Sequence, residues 1–102
     1  MKQVISQILQ KAVQSSFNLK LDFQEIENYI EIPPESLMGD FAFPCFFLSS
    51  KLKKNPNEIA LKIKNEIKKL PKEISEIKSA GPYLNFFVDK KILALNLINE
   101  IL

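Results

Sequence analysis

Residues 79–90 read Ser79-Ala80-Gly81-Pro82-Tyr83-Leu84-Asn85-Phe86-Phe87-Val88-Asp89-Lys90. Gly81-Pro82 punctuates the chain, and Tyr83 to Val88 then alternates with the period of a strand. Leu84, Phe86 and Val88 fall on one face, which is an ordinary core face. Tyr83, Asn85 and Phe87 fall on the other, where two aromatics flank an amide able to pair with a base edge. Covered, that second face belongs to a structural strand; open, it is a recognition surface.

Working outward, Ile74 to Lys78 reads as the preceding strand, with Ile77 fitting the pattern better than Ile74. Asn55-Pro56-Asn57-Glu58 opens a helix: an Asn cap, Pro at the first helical position, and Glu three residues after the cap. Ile59, Ala60, Ile63, Ile67 and Leu70 line its inner face, Lys62, Lys64, Lys68 and Lys69 lie outside, and Pro71 is expected to stop it. In Gly39-Asp40-Phe41-Ala42-Phe43-Pro44, Gly39 permits a tight turn that Asp40 can hold by hydrogen-bonding nearby amides. Phe41 and Phe43 then point the same way from a short strand. Pro44 is expected as the first residue of a helix running to about Lys53, with Cys45, Phe47, Leu48 and Leu52 on its buried side.

Ile26 to Ile32 is expected as a half-buried strand ended by Pro33-Pro34, with Ile26, Ile30 and Ile32 inward and Glu27, Tyr29 and Glu31 outward. Met1 to Ser15 is an amphipathic helix whose apolar stripe is Met1, Val4, Ile5, Ile8, Leu9, Ala12 and Val13. At the other end Asp89 can cap a helix from Lys90 to Leu102 that is apolar over more than one face. Such a helix wants a partner, or a continuation of the chain, to cover it. Together these elements predict an α+β fold: a single domain over residues 1–102, with a small antiparallel β-sheet and helices packed on one face.

Composition narrows the function. With 46% apolar and 25% charged residues over 102 positions, the chain has the balance of an ordinary soluble globular domain. A net charge of +2 announces no strong basic field, and all 14 basic residues are lysines, so phosphate contacts here are point charges rather than bidentate clamps. There is no histidine, and Cys45 is the sole cysteine, which removes the commonest general base, intrachain disulfides and thiolate metal clusters. No apolar run approaches the roughly 20 residues that span a bilayer. These features point to a cytoplasmic binding or structural domain with no metal, no membrane contact and no cofactor of its own.

No nucleophile, base and orienting group can be assembled from these residue types. Asp22, Glu25, Glu27 and Glu31 read as a solvated side, and two glycines are too few for a phosphate-cradling loop. The constellation with specific chemical meaning is Tyr83, Asn85 and Phe87. Unstacked RNA bases are held by aromatic stacking together with hydrogen bonds to their edges, and asparagine offers a donor and an acceptor side by side. Lys78, Lys90 and Lys91 lie close in sequence to meet phosphates. Against this, aromatics are common in strands, and a loop could cover them.

Three segments in order, Gly39-Asp40-Phe41-Ala42-Phe43-Pro44, Asn55-Pro56 with Ile59-Ala60, and Ala80-Gly81-Pro82-Tyr83-Leu84-Asn85-Phe86, strongly resemble the N-terminal additional domain of arginyl-tRNA synthetases. The resemblance covers nearly the whole chain. It implies a module set before a catalytic core that contacts the elbow of tRNA, where the D-loop offers an exposed base. Carried onto this sequence, it makes Tyr83 the stacking aromatic and Asn85 the amide that reads the base, with Phe87 and Lys90 as further tRNA-binding residues. The catalytic signatures of the His-Ile-Gly-His and Lys-Met-Ser-Lys-Ser types are absent from these residues. ATP and arginine would therefore bind a catalytic domain supplied in cis or in trans. The alternative is a free-standing protein-interaction module that docks through the apolar helix beginning at Lys90.

Overall fold

The computed structural model describes residues 1–35, 38–89 and 91. Tyr83–Val88 forms β3, the central strand of a three-stranded antiparallel sheet, flanked by β1 (Phe41–Pro44) and β2 (Ile74–Ala80) in the order β1-β3-β2. A turn with Gly81 at φ +58° joins β2 to β3. On the inner face Phe43 pairs with Leu84, and Phe41, Phe86 and Ile77 form a row. Leu84 and Phe86 are fully buried, and Val88 nearly so.

β2 carries a bulge. Ile74 pairs with Val88 but Glu76 pairs with Phe87, so Ser75 is one residue in excess. The extra residue reconciles a spacing of three with a period of two, and both Ile74 and Ile77 reach the core. The Ser75 hydroxyl donates to the Phe87 carbonyl at 3.0 Å and secures the irregularity.

Four helices complete the described residues: α1 (Lys2–Phe17), α2 (Phe23–Tyr29), α3 (Phe46–Leu52) and α4 (Pro56–Glu66). Helix α4 packs on β2 and β3, α1 packs on α4 and α2, and α3 leans on α4. The core between them joins Ile5, Leu9 and Val13 of α1 to Ile59 and Ile63 of α4 and to Phe43, Leu84 and Phe86 of the sheet. The α+β architecture follows from these stripes, with a small antiparallel sheet and helices on its apolar side.

Several local expectations need correction. Ile26 to Ile32 is not a strand: residues 23–29 are helical, capped by Asp22, whose Oδ2 accepts the Glu25 N–H at 3.1 Å. Only Glu31 keeps a sheet-like pairing, a two-way bridge to Ala42 with both N···O distances 2.8 Å. Ile32 is 70% exposed rather than inward. Pro44 ends β1 instead of opening α3, and Cys45 takes the cap position. Helix α4 stops at Glu66, five residues before Pro71, because Ile67 adopts an extended conformation and tucks against the core, while Leu70 is left exposed. Ser6, which is not part of the apolar stripe of α1, is fully buried. The helix expected from Lys90 to Leu102 lies outside the described residues.

Candidate nucleic-acid interface

The turn before β1 sets the height of the sheet's edge. Gly39 has φ +92°, and a Cβ there would come within 3.0 Å of the Phe86 carbonyl oxygen, so a side chain is disfavoured on two grounds, backbone strain and crowding. Asp40 then extends the ladder beyond the strand: its N–H donates to Phe86 O at 2.9 Å, and its Oδ2 accepts from Val88 N–H at 2.8 Å. The carboxylate thus holds an amide 48 residues away, a longer reach than the local turn contact expected from sequence.

The pairing register defines the outer face of the sheet. Asn85 lies between Ala42 and Lys78, Tyr83 between Pro44 and Ala80, and Phe87 opposite Glu76. Helix α3 touches this side at one end, through Phe46 against Tyr83. The Glu31–Ala42 bridge draws the chain before Pro33-Pro34 along the outer edge of β1, and a pocket of about 180 Å³ forms beneath it. Tyr83 and Asn85 line this pocket with Ala42, Glu31, Met38 and the two prolines.

The four residues singled out from sequence are therefore not equivalent. Tyr83 is half-buried, and its ring meets Phe46 at 5.8 Å with the planes 85° apart. Asn85 is only 5% exposed, so it is a pocket wall rather than an open surface group. Its Oδ1 is shut off from water and accepts no hydrogen bond among the described residues. Phe87 is half-buried and stands outside the pocket, with the Lys78 ammonium 5.5 Å from its ring centroid. Lys90 lies outside the described residues; Lys91 is exposed, and its N–H donates to Asp89 Oδ1 at 3.0 Å.

The polar character of the pocket is biased. Asn85 Oδ1 and the Glu31 carboxylate are acceptors, so an occupant satisfies the pocket by bringing N–H or O–H donors. Phosphate is disfavoured next to Glu31 and suits Lys78, which is directly across the register from Asn85. Lys78 also lies 3.8 Å from Glu76, in an exposed pair that water screens. Pattern reading missed Phe46, Glu31 and Met38 as neighbours of the face, because long-range pairing brings them there. A second, larger groove of about 350 Å³ lies between α1 and the end of α4, with Lys11, Lys68 and Lys69 around it and Ser15 donating to Glu66 at 2.6 Å.

Fold and face together define a small α+β module whose three-stranded sheet is backed by helices on one side and carries half-buried aromatics and a pocket-lining amide on the other. Among the described residues no three His, Cys, Asp or Glu side chains gather as a metal-binding group, and no helix is long and apolar enough to cross a membrane. The family profile described as "Arginyl tRNA synthetase N terminal domain" matches residues 1–88, and the chain belongs to that family. It is 53% identical over 85 residues to an arginine–tRNA ligase of Clostridium botulinum and 47% identical over 85 residues to one of Clostridium kluyveri. Each alignment covers 83% of this chain and 15% of the relative, so the chain spans about a sixth of the length of these ligases. The fold also matches the arginyl-tRNA synthetase of Thermus thermophilus with a TM-score of 0.75 at 24% identity, over 94% of this chain and 15% of that one.

Proposed function

We propose that this chain is the tRNA-elbow recognition domain of an arginyl-tRNA synthetase. It holds the D-loop of tRNA(Arg) while a catalytic domain, in cis or in trans, binds ATP and arginine and attaches the amino acid. The observation that carries this reading is the Asn85 amide: nearly buried, lining a pocket beside Tyr83, with its carbonyl oxygen unpartnered among the described residues. Buried polar groups are ordinarily satisfied, and one that is not invites a role in binding.

The chemistry follows from the groups present. A base turned out of the D-loop stacks on the Tyr83 ring, which every base can do through its π-face. The terminal torsion of asparagine is soft, so the Asn85 amide turns its oxygen toward an N–H on the base edge. Glu31 offers a further acceptor to an exocyclic amino group. Lys78 meets the flanking phosphates, Lys90 and Lys91 follow the strand in sequence to meet others, and Phe87 extends the apolar surface beneath the backbone.

Filter binding of a tRNA(Arg) transcript to the chain tests this reading. Asn85→Ala is expected to weaken binding by about 1–3 kcal/mol, the range for a side chain that reads a base edge. With about three lysines on phosphates, log K should fall with log salt at a slope near −2, at about −0.7 per contact for single strands. An affinity unchanged in the Tyr83→Ala, Asn85→Ala double variant would overturn the proposal.

A further inference from the structure

Phe46 and Phe47 are adjacent in sequence and serve opposite ends. The Phe47 ring stacks on Tyr29 at 4.2 Å and meets Phe43 edge-on at 5.4 Å, so it is packing. Phe46 is 53% exposed, and its ring meets that of Tyr83. The entry to α3 is pinned where this contact needs it, since the Cys45 N–H donates to the Pro82 carbonyl at 2.9 Å, one residue before Tyr83. Phe46 is therefore held beside the pocket without lining it.

The angle between the two rings decides what Phe46 can do. A base stacked on Tyr83 lies parallel to that ring and so stands nearly perpendicular to Phe46, whose plane is turned by 85°. One flat base cannot stack on both. The exposed face of Phe46 is open to a second planar group, and in an unstacked RNA loop the next base along the strand is available to fill it.

Building on the elbow-binding reading above, we infer that Phe46 is a second stacking residue, so that Tyr83 and Phe46 form a corner taking two neighbouring loop nucleotides on separate rings. The base on Tyr83 is read by Asn85. The base on Phe46 is held by stacking alone, without a hydrogen-bond code, and contributes affinity and strand direction.

The test uses tRNA(Arg) transcripts with 2-aminopurine placed singly at each D-loop position, titrated with the chain. The wild-type chain is expected to quench the probe at two neighbouring positions. Phe46→Leu should remove the quench at one of them, keep it at the other, and weaken binding about tenfold, within the range for loss of one stacking aromatic. Tyr83→Leu should remove the other, and Phe46→Trp should retain both. The half-exposed position of Phe46 lets the variant fold, which its amide NMR spectrum checks. Quenching at one position only, or quenching and affinity indifferent to Phe46→Leu, overturns the inference and leaves the elbow reading standing. Equal loss at both positions makes Phe46 a mere support for Tyr83 and also overturns it. No quenching at any position and no binding by the wild-type chain overturns the elbow reading itself.

Discussion

Asn85→Leu separates the demands of folding from those of binding. In the native chain the Asn85 carbonyl oxygen is closed to water and has no donor among the described residues. A buried acceptor left unpaired costs about 1–3 kcal/mol relative to its hydrated state in the unfolded chain. Leucine has a similar volume, removes that penalty and adds apolar area between Ala42 and Lys78 on the outer face. The substitution should therefore stabilise the fold by about 1 kcal/mol or more, which for a domain of this size raises Tm by about 4–8 °C. The same change removes the group assigned to read the base, so stability and RNA binding should move in opposite directions. Thermal unfolding followed by circular dichroism measures the first, and tRNA titration the second. A fall in Tm of several degrees would mean instead that Asn85 is satisfied in the native state.

Substitutions at three further positions test the frame that holds the pocket. Gly39→Ala should lower stability by about 1–3 kcal/mol in urea titration, since it forces a side chain into a positive φ and against the Phe86 carbonyl. Asp40→Ala should cost about as much by leaving the Val88 N–H without its 2.8 Å acceptor, whereas Asp40→Asn, which keeps an oxygen there, should cost less. Burial pushes the Cys45 thiol from its usual 9.0 up to about 12. The unfolded chain then loses this proton first, so stability is unaffected below about pH 9 and falls as pH rises toward 12, by up to about 1.4 kcal/mol per pH unit. Cys45→Ala removes this component, and comparing the two chains at pH 8 and pH 10 isolates it.

What was legible in the sequence was what local chemistry determines. The Asn55 cap is present as read, with its Oδ1 accepting the Asn57 N–H at 2.8 Å, and the β3 stripe faces the core as its alternation requires. Residues 26–32 carry the pattern of a strand as well as of a helix because Ile26 and Ile30, four apart, satisfy both. The Asp22 cap, with Glu25 in the first turn, was the signal that breaks the tie. Ile74 fitted poorly because a bulge has no signature in a single strand; it exists only in the register with β3. Likewise Tyr83, Asn85 and Phe87 share a face as expected, but the Glu31–Ala42 bridge that turns part of it into a pocket is a contact between distant residues that no local period encodes.

The central claim is that RNA meets the outer face of the sheet at Tyr83 and Asn85. Its most direct test is an NMR titration of the ¹⁵N-labelled chain with a tRNA(Arg) transcript. The Asn85 side-chain amide and the backbone amides of Tyr83 and Phe87 are expected to shift together, while those lining the groove between α1 and α4 stay in place. Shifts confined to Lys11, Lys68 and Lys69 in that groove, with the Asn85 side chain unmoved, would contradict it.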